Sequence, residues 1–303
     1  VSRVNVFGSL NADLVAYVDQ LPKPGETRQG KRFLKSAGGK GLNQAIAAAR
    51  AGARVTMVGA VGDDDHGRWL KKIARSEGIE AEAILEQRGQ TTGVALISVD
   101  NRGENNIIIV SGANDAADPT ALKISQGEIL LAQLETPLSG VVRAFETAKA
   151  AGALTILNPA PAQELPPSLL RHTDIVIPNE HEAAQLTGID TCNDSGALRA
   201  AQMLRESGAV AVVITLGSRG ALLVDSQGPR FQPPFAVMPV DTTAAGDAFC
   251  GALAASLSRG ETLDYALAFA AAAGGLATTV AGATPSLPLL DEILNLLTQG
   301  GHK

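Results

Sequence analysis

Residues 129–157 read Ile-Leu-Leu-Ala-Gln-Leu-Glu-Thr-Pro-Leu-Ser-Gly-Val-Val-Arg-Ala-Phe-Glu-Thr-Ala-Lys-Ala-Ala-Gly-Ala-Leu-Thr-Ile-Leu. Ile129–Leu134 and Leu154–Leu157 are near-continuous apolar runs, the pattern of strands covered on both faces. Ser139–Ala150 between them reads as a helix. Strand, helix and strand in that order make a parallel unit with a crossover on one face of a sheet. The same alternation extends outward in both directions. Further strands are predicted at Val4–Phe7, Val55–Val61, Asp174–Ile177, Val210–Ile214 and Ala221–Val224. Helices are predicted at Gly41–Ala51, Gly67–Ser76, Ala197–Ser207, Ala248–Leu257, Leu263–Thr279 and Asp291–Thr298. The expected fold is α/β, a doubly wound, mostly parallel sheet flanked by helices.

Two segments break the alternation. Leu14–Val18 with Gln29–Leu34, and Val94–Val99 with Ile107–Val110, have strand character without an intervening helix. Asp100-Asn101-Arg102-Gly103 supplies a hairpin turn. These strands are expected to form a small second sheet, inserted at about residues 14–34 and 94–110 of a single domain spanning 1–303.

Composition bounds the function. The 303 residues are 45% hydrophobic and 18% charged, which supports a large core and excludes disorder. Aromatics are only 3%, so the core must be Ala, Val, Ile and Leu, with Met57, Met203 and Met238 as filler. The net charge of −6, with few aromatics, lacks the footprint of a nucleic-acid binder. Ala266–Ala277 is too short and too rich in alanine and glycine for a membrane span. Cys192 and Cys250 stand far apart, as free thiols in a reducing cytoplasm would. His66, His172, His181 and His302 sit in polar contexts and read as surface residues.

Polar residues collect at the carboxyl ends of the apolar runs, where open α/β sheets bind ligands. Asn11 and Asp13 follow the first, Glu135 and Asn158 the central pair, Asn179 and Glu180 the next, then Thr215 and, after Ala236–Val240, Asp241. Such a row suits a hydroxyl-rich small molecule, although each residue alone could be a turn former or helix cap. Ala37-Gly38-Gly39-Lys40-Gly41-Leu42-Asn43-Gln44 lets backbone approach a ligand at a helix start, with Lys40 and Asn43 on one face. Read blandly, it is a glycine turn with a solvated lysine. Asp241-Thr242-Thr243-Ala244-Ala245-Gly246-Asp247-Ala248-Phe249 is stronger. Small residues there leave free N–H groups for anionic oxygen at a helix start, with a carboxylate alongside. The competing reading is that Asp247 caps the helix. Thr215-Leu216-Gly217-Ser218-Arg219-Gly220 could carry a nucleotide, but an ordinary strand–turn–strand connection explains it better in isolation. There is no Walker loop, no complete dinucleotide fingerprint, no H-E-x-x-H and no G-x-S-x-G.

Gly38–Ala45, continued through Gly59-Ala60-Val61-Gly62-Asp63-Asp64, together with Asp241–Phe249, resembles the paired signatures of the ribokinase-like, or phosphofructokinase-B type, carbohydrate kinases. The resemblance covers essentially the whole chain. Gly8–Leu14, Leu21–Thr27, Gln133-Leu134-Glu135, Asn158–Ala162 and Pro178-Asn179-Glu180 extend it towards the ribose-phosphorylating branch. One departure is Ala244, where many members have glycine.

The resemblance implies an ATP-dependent kinase acting on the 5-hydroxyl of D-ribose, with a β-sheet lid that also forms a homodimer. Asp247 would be the general base, and the N–H groups of Ala245, Gly246 and Asp247 an anion hole. Asn11, Asp13, Gly39, Lys40, Asn43 and Glu135 match sugar-binding positions. Asn179, Thr215, Gly217 and Gly220 match nucleotide-binding positions. Asp241, Thr243, Ala277, Val280, Gly282 and Ser286 match a monovalent-cation (K⁺) loop, and Mg²⁺ would ride with the nucleotide. The alternatives are a sibling kinase for deoxyribose, another sugar or a nucleoside, and a non-catalytic sugar- or nucleotide-binding regulator. A nicotinamide-dependent oxidoreductase is more distant.

Overall fold

The structure, a computed structural model, describes residues 1–300. Thirteen strands are formed by its described residues. They are β1 (Arg3–Phe7), β2 (Asn11–Tyr17), β3 (Arg32–Gly38), β4 (Arg54–Gly62), β5 (Ile84–Gln87), β6 (Gly93–Val99), β7 (Asn105–Val110), β8 (Ile129–Ala132), β9 (Leu154–Leu157), β10 (Ile175–Val176), β11 (Ala211–Thr215), β12 (Ala221–Asp225) and β13 (Gly228–Gln232). The helices are α1 (Lys40–Arg50), α2 (Asp65–Ser76), α3 (Leu138–Ala150), α4 (Pro167–Arg171), α5 (Glu180–Thr187), α6 (Asp194–Glu206), α7 (Ala245–Ser258), α8 (Leu263–Ala277), α9 (Ala283–Ser286) and α10 (Leu290–Gln299).

The main sheet has the order β13-β12-β11-β10-β9-β8-β1-β4-β5. It is parallel from β5 to β11, and β12 and β13 add an antiparallel edge. Period-two alternation explains why its strands read as unbroken apolar runs. Val4, Val6, Ile129 and Leu131 face the layer of α1, α2, α7 and α8. Phe7, Leu130 and Ala132 face the layer of α3 to α6. A third cluster of Ala252, Phe269, Ile293 and Leu297 seals α7, α8 and α10 together.

The strand order reverses at β1. The chain runs β1, β4, β5 to one side and β8 through β11 to the other, so the carboxyl ends of β1 and β8 flank a switch-point crevice. A separate four-stranded sheet, β3-β2-β6-β7, rises beside that crevice. Its members correspond to the helix-free segments and reach beyond the predicted bounds, starting at Asn11 and ending at Gly38 for the first pair.

Several expectations fail locally. Residues 236–240, grouped with the apolar runs because Asp241 follows them, form no strand. Met203 and Met238 are 43% and 87% exposed, so only Met57 is core filler. His66 and His172 are half-buried, and only His181 is an exposed histidine among the described residues, outside which His302 lies.

Candidate active site

α1 and α7 meet at close range, and this contact builds the site. A Cβ added to Gly251 would lie 2.6 Å from both the Gln44 carbonyl oxygen and Ala47 Cβ. Glycine there lets α7 settle into α1 and brings the first turns of both helices together. Asp247, in the first turn of α7, is therefore buried against α1. Asn43 Nδ2 donates to its Oδ2 (3.0 Å) and Gln44 Nε2 to its Oδ1 (2.9 Å). Among the described residues no side chain caps α7, so the capping reading of Asp247 does not hold.

Ala244, before that turn, has φ 60° and is the one non-glycine residue with positive φ among the described residues. Left-handed alanine costs about 1–2 kcal/mol. The Ala245 N–H donates to Thr242 O (3.3 Å). The N–H groups of Gly246 and Asp247 take no such turn or cap bond among the described residues. A Cβ on Gly246 would meet nothing within 4 Å, so this helix start opens onto free space.

A second cluster converges from β1, β2 and β8. Gly39, with φ 87°, ends β3's excursion and precedes α1, pressed against the backbone of Ser9 and Asn11. Glu135, just beyond β8, accepts from Ser9 Oγ (2.6 Å) and Lys40 N (3.0 Å). Asn11 Oδ1 accepts from Asn114 Nδ2 (2.8 Å). Asp13 follows on the same strand, packed so closely under Gly38 that an added Cβ would lie 2.1 Å from its Oδ2.

The electrostatics are those of carboxylates gathered around one cation. Burial, Glu135 and Asp247 push the Asp13 carboxyl up to about 7. Burial raises that of Asp247 also, against the pull of Lys40, Gln44 and Asn43, with Glu135 adding to the rise. The Lys40 ammonium is desolvated, yet Asp247, Glu135 and Glu182 hold its pKa above the ordinary value. Asn43 Oδ1 is buried without a partner among the described residues, which leaves it for a donor from outside the chain.

A cavity of about 200 Å³ opens beside Asp247, lined by Lys40, Asn179, Glu182, Thr215, Thr242 and Gly246 among others. Asn179 and Thr215 are thus beside Asp247. Asn179 also caps α5, accepting from Glu182 N while Glu182 Oε2 accepts from its backbone N–H. Gly217 and Gly220 do not line this cavity. They close the β11–β12 connection, where a Cβ on Gly220 would lie 2.1 Å from Gln232 O. The strand–turn–strand reading of that motif describes their visible role. A larger cleft of about 680 Å³ lies elsewhere, among Gln163, Leu170, Leu186 and Met203. Among the described residues that line it, Glu164 is the one charged side chain, so size does not locate the site.

Of the expected cation loop, Asp241, Thr243 and Gly282 come together. Asp241 Oδ1 accepts from Thr243 N (2.9 Å) and Oγ1 (2.7 Å), and its Oδ2 from Gly282 N (2.8 Å). Thr278 O receives Val240 N and Asp241 N, tying the end of α8, with Ala277, to the same loop. Val280 is exposed. Ser286 is buried, its Oγ donating to Ala283 O (2.7 Å).

Sequence reasoning left four partners unassigned. Gln44 and Asn158 lie in quoted stretches, but nothing in their spacing reveals that Gln44 bonds both Asn158 and Asp247. Glu182 had a usable signal, the Asn-x-x-Glu spacing of a capping box. Asn114 had none, since it reaches Asn11 from 103 residues away.

The chain matches the description "pfkB family carbohydrate kinase" over residues 1–290. It belongs to that family. It is 40% identical over 299 residues to the ribokinase of Haemophilus influenzae, covering 97% of this chain and 98% of that one. It is 41% identical over 306 residues to the bifunctional ribokinase/ribose-5-phosphate isomerase A of Fructilactobacillus sanfranciscensis. That match takes in 99% of this chain but only 57% of the relative's length. The structure of Arabidopsis thaliana ribokinase complexed with ribose and ATP superposes with a TM-score of 0.87 at 33% identity, covering 98% of each chain. As a member of the family, this protein is a phosphotransferase acting on a sugar hydroxyl. No helix among its described residues is long and apolar enough to cross a membrane.

Proposed function

We propose that this pfkB-family kinase transfers the γ-phosphoryl group of ATP to the 5-hydroxyl of D-ribose, with Asp247 as general base. The observation that carries the reading is the buried Asp247 carboxylate, held by two side-chain donors beside unpartnered helix N–H groups. Phosphoryl transfer asks chiefly for positioning and charge neutralisation. A carboxylate made more basic by burial accepts the hydroxyl proton as the hydroxyl oxygen attacks phosphorus. The N–H groups of Gly246 and Asp247 would stabilise the transferred oxygens, joined by Ala245 if its long bond to Thr242 is exchanged.

Asp13, Asn11, Glu135, Lys40, Asn43 and the Gly39 backbone would hold the sugar. The unpartnered Asn43 Oδ1 gives a hydroxyl a ready acceptor. Asn179 and Thr215 would face the nucleotide, and Gly217 and Gly220 would shape the turn beneath it. Mg²⁺ would neutralise phosphate charge. No group of three acidic, histidine or cysteine side chains among the described residues could hold a metal ion, so phosphate oxygens and water would supply most of its ligands. A monovalent cation would sit at the loop of Asp241, Thr243, Ala277, Val280, Gly282 and Ser286. The Ala277, Val280 and Gly282 carbonyls accept no turn or loop bond among the described residues, as backbone ligation requires. The small sheet would act as a lid that excludes water, and as a dimer surface. Cys192 and Cys250 are unpaired, in keeping with a reducing compartment.

The test is ADP release from ATP, with Mg²⁺ and K⁺, against ribose, deoxyribose, fructose and adenosine. Strong turnover on ribose supports the reading. Preference for another acceptor moves the substrate while keeping the chemistry. Sugar binding without turnover on any acceptor overturns it in favour of a sensor.

A further inference from the structure

Asp247 is held by a neighbouring helix, through a residue whose own orientation is dictated from elsewhere. Gln44 on α1 is fully buried. Its Nε2 donates to Asp247 Oδ1 (2.9 Å) and to Asn158 Oδ1 (3.0 Å), and its Oε1 accepts from Gln133 Nε2 (2.6 Å). An amide can be placed either way round, and only its partners decide which. Here the decision starts at the backbone. Asn158 Nδ2 donates to the Ile177 carbonyl (2.8 Å), which can only accept. Asn158 Oδ1 must then face Gln44, and only an N–H can meet it. An inverted Gln44 would set its oxygen against both Asn158 Oδ1 and the Asp247 carboxylate. Gln133, just beyond β8, locks the amide from the other side. A chain of fixed polarity thus runs from the end of β10 through Asn158 and Gln44 to Asp247.

We propose that Gln44 is the positioning residue of the phosphoryl-transfer base: its locked amide fixes the rotation of the Asp247 carboxylate and keeps Oδ1 an unprotonated acceptor. With Asn43 on Oδ2, the plane of the carboxylate is set, and its remaining lone pairs are those open to a sugar hydroxyl. This inference rests on Asp247 being the base. The charged and titratable groups that act on Asp247 are Lys40 from α1, Asp13 from β2, Glu135 beyond β8, Glu182 from α5 and Cys250 from its own helix. Lys40, Gln44 and Asn43 favour the ionised form, while burial and Glu135 oppose it. Losing the Gln44 donor therefore raises the pH at which Asp247 ionises.

The test uses Gln44→Met, similar in size but without a donor, alone and combined with Asp247→Asn. A hydrogen bond to a charged group is worth roughly a 10- to 100-fold change. The kcat of Q44M should fall by about that factor, and its acid limb should move up by about one pH unit. Ribose KM should stay near the wild-type value. Adding Q44M to D247N should cost little more, because the base that Gln44 would position is already gone. A wild-type kcat and acid limb in Q44M would overturn the proposal, as would a fully additive loss in the double variant. Wild-type turnover in D247N alone would instead remove Asp247 as base. Should Q44M not fold by circular dichroism, Gln44→Glu keeps the chain length and sets a second carboxylate against Asp247. Its acid limb should move up further, and an unmoved limb would overturn the proposal.

Discussion

Asp13 is the clearest case of a side chain whose surroundings work against its charge. Burial comes first, and Glu135 and Asp247 add to it, bringing its carboxyl to about 7 from an ordinary 3.8. The folded state thus binds a proton that the unfolded chain releases between about pH 4 and 7. Its contribution to stability is fullest below the unfolded pKa and is lost as pH rises through the folded one, a change on the order of a few kcal/mol. In thermal melts of the ligand-free protein, Asp13→Asn should flatten the decline in Tm between about pH 5 and 7.5 relative to wild type. Parallel slopes would show that Asp13 does not feel this environment. Asp13→Ala should raise the ribose KM sharply and leave ATP affinity nearly unchanged, as isothermal titration and steady-state kinetics would register. An equal loss in both would make Asp13 a structural residue. At this scale the sequence exposed the residues with chemistry to do, because polar groups after apolar runs and small residues before a helix are local patterns. It did not expose Gln44, Gln133 and Asn158 as a group. Their contacts join separate elements, at separations of 89, 114 and 203 residues.

Packing of α1 against α7 is what turns those residues into a site. With aromatics at 3%, the chain closes helices on one another through alanine and glycine, and Gly251 is the tightest such point between these two. Gly251→Ala would force a methyl group against the Gln44 carbonyl and Ala47. Overpacking of this kind costs about 1–3 kcal/mol. The expected result is a lower Tm together with a lower kcat, since the shift displaces Asn43 and Gln44 from Asp247. A lower Tm with unchanged kcat would mean that the site tolerates the movement. The elements themselves were largely legible, because strands buried on both faces leave unbroken apolar runs. β9 has the predicted bounds, and β1 and β4 begin one residue early. The misses follow from the same physics. β5 is only four residues long and half polar, and β13 holds Gly228 and Pro229 at the sheet edge, where proline is tolerated. α5 is short and announced only by its capping box.

The whole molecule sets a switch-point crevice under a separate sheet whose outermost strand is greasy. Every residue of β7 is exposed, and Ile107, Ile108, Ile109 and Val110 are 48–62% so. Among the described residues β7 pairs with β6 alone, which leaves its other edge open there. Such an edge is a hazard unless covered. If a second copy covers it, Ile108→Lys should convert dimer to monomer in size-exclusion chromatography with light scattering. A monomeric wild-type protein would contradict that assembly. The account as a whole turns on Asp247, where the helix start, the carboxylate cluster and the two holding amides converge. Its most direct test is the kcat of Asp247→Asn for ATP-dependent phosphorylation of ribose, with folding checked by circular dichroism. The account predicts an intact fold and a loss of about 10²- to 10⁴-fold in kcat. A folded D247N enzyme turning over at the wild-type rate would contradict it.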